Sequence, residues 1–359
     1  MKKVLLSILM LIVGIGVWVF NLDRCDVEVV ESERPQVKIG VILPITGNLA
    51  QIGGNSKVLV DKIREDVENS PIDFEFLVED NDTAIKRTVM IANKFVNVDK
   101  VDAIFSMFTN FSTAVTPIAT KAGLFHICVA NDCEVASGSL NFANWQQNDV
   151  SAKKVVELMK GNGAKKVVIF TLEHSGYILI AQHVKEELDK NGIEWEEYNF
   201  NPSERDFASM VDKAYAINDV DYWFLNTMSP AIELVRKQML EKNIDIPITG
   251  IQSFGTAEMP DLFKGFDYID AAEVNDEIKE YVMSRTSSKN ITIPAYAYDS
   301  LNMMVKVYED FYEREDRIPS SEEAAQELLN MKEYYGSVGK VEIAPNRIIY
   351  SDTIVKQVE

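Results

Sequence analysis

Three histidines and three cysteines are all that this 359-residue chain holds of the side chains on which most enzyme and metal signatures rest. No H-E-x-x-H, G-x-S-x-G, P-loop or G-x-G-x-x-G pattern occurs, so the sequence carries no signature of a zinc protease, a serine hydrolase or a nucleotide site. The turns that follow its strands are poor in glycine, which argues against a pyrophosphate cradle, and no cofactor or metal is implied. His126 lies inside the apolar stretch FHICVA and reads as a core residue, His183 falls mid-helix, and only His174 sits in a loop where a base could reach substrate. Asp80 and Asp82 in EDNDT lack the glycine and closing glutamate of a calcium loop. They read as a polar turn in which Asp82 or Thr83 caps the next helix. Hydrolysis through Asp80, Asp82 or His174 is the only catalytic alternative the residues leave.

Positive charge is also scarce. Against 36 Lys and Arg stand 56 Asp and Glu, a formal net charge of −20. Such a surface repels nucleic acid and anionic lipid headgroups, which excludes both as partners. The acid excess serves solubility and identifies no cationic ligand.

Long apolar runs are absent apart from Val4 to Phe20, VLLSILMLIVGIGVWVF, preceded by Lys2 and Lys3. A basic start followed by an apolar stretch is the pattern of a secretory signal, and this one is just long enough to span a bilayer as a helix. The lysines hold Met1 in the cytoplasm and send the rest outside. No small-residue cleavage site follows, which favours a retained anchor over a cleaved signal. Asp23 and Arg24 before Cys25 do not make a lipobox, so Cys25 reads as a juxtamembrane thiol. In an oxidising compartment Cys128 and Cys133 either close a small loop or stay unlinked, and spacing alone does not choose.

What the chain does have is alternation. Hydrophobic residues at 47% and charged residues at 26% describe an ordinary globular mix, and the length suits two domains. Short β-branched runs at Val37–Leu43, Phe74–Glu79, Val101–Ser106 and Phe125–Ala130 alternate with helical spacing. The pattern restarts at Ser151 and runs through Lys165–Thr171, Ile193–Phe200, Asp221–Leu225 and Pro247–Ile251. Helical patterns follow at Asp276–Met283, Ala297–Arg314 and Ser321–Met331, and Gly339–Ile354 reads as two edge strands turning near Pro345–Asn346. This predicts two Rossmann-like α/β lobes, each a mainly parallel sheet flanked by helices. Ligands of open α/β sheets bind beyond the carboxyl ends of the strands. The segments to watch are therefore Pro44–Gly54, Met107–Ser112, Asn131–Glu134, Glu173–Tyr177, Asn226–Pro230 and Gln252–Gly255.

The stretch VKIGVILPITGNLAQIGGNSKVLVDKIRED resembles the opening of the branched-chain amino-acid binding proteins, the type I periplasmic binding proteins of ABC transporters. FEFLVEDNDTAIKRTVMIANKFVNVDKVDAIFSMF, FTNFSTAVTPIATKAGLFHICVA, AYAYDSLNMMVKVY and GSVGKVEI follow in that family's order, so the likeness runs from Val37 to the C-terminus. It implies a three-crossing hinge near Asn148, Ala271 and Met331. Lobe 1 would be residues 37–147 and 272–331, lobe 2 residues 148–271 and 332–359, after a membrane segment 1–20 and a linker 21–36. It further implies an exported, non-enzymatic receptor that binds a small amino-acid-like or amide solute and serves ABC permease subunits. The alternative is a sensing module for a membrane signalling partner. The matching ligand positions are Ile52, Thr109, Ala130, Tyr177 and Met228, with Ser229 beside the last. Two departures stand out. Asp132 replaces a hydroxyl and Gln252 replaces a glutamate: the ammonium-binding acid has moved to Asp132, or the solute lacks a free α-carboxylate, as an amide, polyamine or small peptide does, or Asp132 is a helix cap. Tyr296 and Tyr298, two apart, place at most one ring toward a ligand.

Overall fold

A computed structural model describes residues 34–286 and 291–359. The apolar run Val4–Phe20, Cys25 and most of the expected linker lie outside the described residues, and no described helix is long and apolar enough to cross a membrane.

From Pro35 the chain forms one compact unit built on two sheets. The first half lays down β1 (Gln36–Leu43), α1 (Ala50–Asp66), β2 (Asp73–Asp80), α2 (Ile85–Lys94), β3 (Ala103–Met107), α3 (Thr109–Ala122), β4 (Phe125–Val129) and β5 (Asn141–Asn144). Strands β2, β1, β3, β4 and β5 pair in parallel in that order. Burial on both faces makes their near-continuous apolar runs necessary. Val37, Ile39, Val41 and Leu43 of β1 face one core with Leu59 and Ile63 of α1, while Ile42 faces a second with Ile91 and Phe95.

The second half repeats the scheme with α4 (Asn148–Gly161), β6 (Lys166–Leu172), α5 (Ser175–Lys190), β7 (Glu194–Phe200), α6 (Ala208–Tyr215), β8 (Tyr222–Asn226), α7 (Ala231–Glu241) and β9 (Ile248–Thr249). The sheet order is β7-β6-β8-β9, all parallel. One face packs on α6 and α7 and the other on α4 and α5. After β10 (Asp267–Ala271), α8 (Asp276–Met283), α9 (Thr292–Glu315) and α10 (Ser321–Met331) return to the first lobe, where Met303, Met304 and Leu328 complete its core.

The tail corrects the expected boundary. Strands β11 (Glu333–Gly336), β12 (Gly339–Ile343) and β13 (Ile348–Ser351) extend the first lobe's sheet to eight, because β13 pairs in parallel with β5. Only β14 (Thr353–Gln357) leaves it, to pair antiparallel with β10. The third crossing is therefore at Asp352 rather than Met331, and 333–351 joins lobe 1, not lobe 2. The hairpin itself forms as read, but β13 is an interior strand.

A fully buried polar chain runs through the first lobe. His126 places Nε2 at 2.9 Å from Ser106 Oγ and Nδ1 at 2.9 Å from Asn141 Oδ1, and Ser106 lies 2.8 Å from Ser112 Oγ. Asn141 donates through Nδ2 to Thr120 and Ser137, so its oxygen faces His126 and Nδ1 carries the ring proton. Hydroxyl, imidazole and amide are aligned like a nucleophile with its base, yet Ser106, His126 and Asn141 have no exposed surface at which a substrate could be met. Cys128, two residues beyond His126 on β4, is a free buried thiol that donates to the Phe142 carbonyl at 3.3 Å, which removes the pairing with Cys133.

Candidate functional site

The first lobe's rim begins with a backbone departure. Phe108, between β3 and α3, has φ 67° and ψ 136°. A phenylalanine there costs ~1–3 kcal/mol unless its surroundings hold it, and such residues cluster at ligand sites. Its N–H donates to the Val129 carbonyl at 2.8 Å, and its ring packs on the core edge-on to Phe111. This turn brings Thr109, first residue of α3, beside the end of β4. Thr109 Oγ1 donates to Asn131 Oδ1 at 2.6 Å and accepts from the Asn131 N–H at 3.2 Å. Asn131 Nδ2 donates onward to Asn148 Oδ1, 3.1 Å away at the start of α4. Asn131 is thus the residue that joins the expected site, one position before the expected Asp132. Its signal was its place directly after a strand.

The hydrogen-bond arithmetic limits what Thr109 offers. Its single proton is spent on Asn131, so toward a solute it presents a lone pair that accepts. Ala130 is buried, and its carbonyl takes a long 3.5 Å contact from Gln147 Nε2. Ile52, half-buried against the first core, lies in the opening turn of α1. Asp132 does cap a helix: Oδ1 accepts from the Glu134 N–H at 2.9 Å at the start of the short 3-10 turn Cys133–Ala136. Its second oxygen makes no bond among the described residues. The same side chain lines a shallow surface hollow with Thr113, Thr116 and Lys121 of α3.

Asp80 plays a part the sequence did not suggest. The helix after EDNDT is entered at Ala84 without a side-chain cap, so neither Asp82 nor Thr83 caps it. Asp80 instead reaches across to the rim loop after β1, accepting from the N–H of Ile45 at 3.0 Å, the N–H of Thr46 at 3.1 Å and the Thr46 hydroxyl at 2.6 Å. Partial burial works against its charge, but the bonds from Thr46, Asp82 and Ile45 outweigh it and hold the carboxyl below its usual range.

The second lobe supplies Tyr177, Met228 and Gln252. Tyr177, in the first turn of α5, packs on the lobe's core with its ring 6.2 Å from that of His174. Burial pushes its phenol above the ordinary range, and its hydroxyl has no hydrogen-bond partner among the described residues. Asn131 faces this turn: a Cβ added to Gly176 would lie 3.9 Å from Asn131 Nδ2. The rim after β4 and the N-terminus of α5 therefore meet across the lobes. Met228 is half exposed. Gln252 is drawn to the hinge. At φ 60° it donates through Nε2 to Gln146 Oε1 at 2.6 Å, and Gln146 Nε2 reaches Thr353 Oγ1 at 3.2 Å. Gln146 thereby bonds to residues beside the other two crossings. One Nε2 proton and the side-chain carbonyl oxygen of Gln252 remain for a solute. Neither expected aromatic faces a ligand: Tyr296 is fully buried with its hydroxyl on Ser351, and Tyr298 donates to Asp66 at 2.9 Å.

Two α/β lobes, three crossings and neutral polar groups facing one another across them define the architecture of a solute-binding protein. The chain belongs to the type I periplasmic binding protein family, whose sequence profile, described as periplasmic binding protein, matches residues 36–347. The fold is that of a leucine-binding protein of Thermotoga maritima at TM-score 0.77 and 19% identity, covering 90% of this chain and 95% of that one. A branched-chain amino-acid substrate-binding protein of Streptococcus pneumoniae, solved with isoleucine, gives 0.75 and 18% over 90% and 96%. A solute-binding protein of Rhodopseudomonas palustris, solved with 3,4-dihydroxybenzoic acid, gives 0.74 and 18% over 90% and 93%. A comparison with curated protein sequences gives no match. The protein is thus a periplasmic binding protein, a family whose place of work is extracytoplasmic.

Proposed function

We propose that this protein binds a small amino-acid-like or amide solute between its lobes and delivers it to ABC permease subunits, held at the membrane by residues 4–20. Lobe 1 would comprise 37–147 with 272–351, and lobe 2 would comprise 148–271 with 353–359, closing as hinged bodies. The observation that carries this reading is the chain Thr109–Asn131–Asn148, which opposes Gly176 of the other lobe. Thr109 accepts from a solute N–H. The remaining Asn131 proton and the Tyr177 hydroxyl donate to a carbonyl or carboxylate. The positive end of α3 favours that same negative group. Ile52 and Met228 receive the apolar part. The free oxygen of Asp132 takes the ammonium.

Substitution at position 132 tests the assignment because asparagine caps as well as aspartate. Asp132→Asn retains the wild-type melting temperature and loses about tenfold to a hundredfold in affinity for L-leucine, the worth of a charge-assisted bond of ~1.5–3 kcal/mol. Asp132→Ala loses the cap as well and melts lower. Undiminished binding in Asp132→Asn would remove this residue from the site.

A further inference from the structure

We infer that Glu233 is a positioning residue for solute binding, whose carboxylate locks the two rim segments of the second lobe, 226–230 and 252–259, into one arrangement. The inference rests on the cleft reading above. Glu233 lies in the first turn of α7 and is only 3% exposed. Its Oε1 accepts from the Ser229 hydroxyl at 2.5 Å and from the Glu258 N–H at 2.9 Å, while that N–H also lies 3.2 Å from Ser229 Oγ. One oxygen therefore gathers donors from segments that the chain keeps about thirty residues apart. Its Oε2 is buried without a partner among the described residues.

A carboxylate so placed costs desolvation that a neutral residue avoids. The helix N-terminus and the two captured donors offset part of this. What the clamp organises lies on either side of it. Met228 precedes Ser229 and Met259 follows Glu258, and both are about half exposed. Flexible thioether side chains displayed in this way adapt to an apolar solute group. Gln252, bonded to Gln146 at the hinge, opens the second segment. The clamp thus sets the second lobe's apolar wall relative to the hinge.

Two variants of the full chain separate positioning from folding. Glu233→Gln keeps an oxygen for both donors and preserves wild-type behaviour. Glu233→Ala leaves the Ser229 hydroxyl without its acceptor and the Glu258 amide with only its 3.2 Å contact to Ser229 Oγ. In Glu233→Ala, hydrogen exchange rises at Glu258 and in both segments, and affinity for L-leucine falls about tenfold. Glu233→Gln restores both readings. Unchanged exchange in Glu233→Ala overturns the clamp, and raised exchange with unchanged affinity overturns its role in binding. A wild-type protein that binds neither amino acids, their amides nor aromatic acids overturns the functional reading itself, and the positioning role falls with it.

Discussion

Gly53→Ala unfolds or strongly destabilises this protein, whereas Gly54→Ala leaves it unharmed. Both glycines sit in the first turns of α1, and on helix propensity alone each replacement by alanine gains up to ~1 kcal/mol. Their surroundings reverse the sign at one of them. A Cβ on Gly53 would lie 2.0 Å from the Pro44 carbonyl oxygen and 2.9 Å from the Ile45 nitrogen, while a Cβ on Gly54 meets nothing within 4 Å. The obstructing atoms are backbone, so a side chain cannot swing aside. The loop after β1, already held by Asp80, must shift as a piece. Overpacking of this kind costs ~1–3 kcal/mol or more. Thermal or denaturant unfolding of the two variants measures it: Gly53→Ala loses several °C in melting temperature and weakens solute binding through the displaced rim. Equal melting temperatures would contradict the close approach.

His126 and Asp299 make opposite contributions to acid stability. Burial holds the His126 imidazole at a pKa of about 4, below the 6.5 of an exposed ring, although Asn141 pulls the other way. Between those values the unfolded chain binds a proton that the folded one refuses. The fold therefore loses about 3 kcal/mol as pH falls from 6.5 to 4. Asp299 is buried too, and burial lifts its carboxyl to about 6 against the N–H groups of Ser337 and Val338. Below pH 6 the folded chain binds a proton that the unfolded one releases until 3.8, so this group favours folding by about 3 kcal/mol as the pH falls. Together they flatten the wild-type curve between pH 6 and 4. His126→Gln removes one side of the balance. Its unfolding free energy rises relative to wild type by about 3 kcal/mol from pH 7 to pH 4, whatever its offset at pH 7. A constant difference between the two proteins across that range would contradict the neutral buried imidazole.

The alternation of β-branched runs and helical spacing made most of the architecture legible in the sequence, because a parallel sheet buried on both faces leaves nowhere for polar residues to interrupt a strand. What escaped is what tertiary contact decides. β5, NFAN, is short and half polar, yet it is fully buried because its asparagines bond His126 and Ser300. The strand Glu333–Gly336, EYYG, is short and only alternately half-buried, with Tyr334 packed on the first core, and it has no strand reading in the sequence. Helix α9 was expected from Ala297, but Pro294 stands in its first turn, where a missing N–H loses no helical bond, and the helix starts at Thr292. At the rim, Thr109, Ala130 and Tyr177, named from the family resemblance, lie in or beside the segments that follow β3, β4 and β6. Asn131 fell within the segment singled out after β4 but was not named beside the more conspicuous Asp132, and sequence does not reveal that Gln146, distant in the chain, takes one proton of the Gln252 amide. The third crossing was misplaced at Met331 because no local signal tells an interior strand such as β13 from an edge strand.

Titration calorimetry of the protein against neutral amino acids, their amides and small aromatic acids bears most directly on whether two facing rims grip a single solute. One class of these compounds should bind with one-to-one stoichiometry and micromolar or tighter affinity, and Thr109→Val should weaken it. Saturable heat from none of them, or binding indifferent to Thr109, would contradict the account.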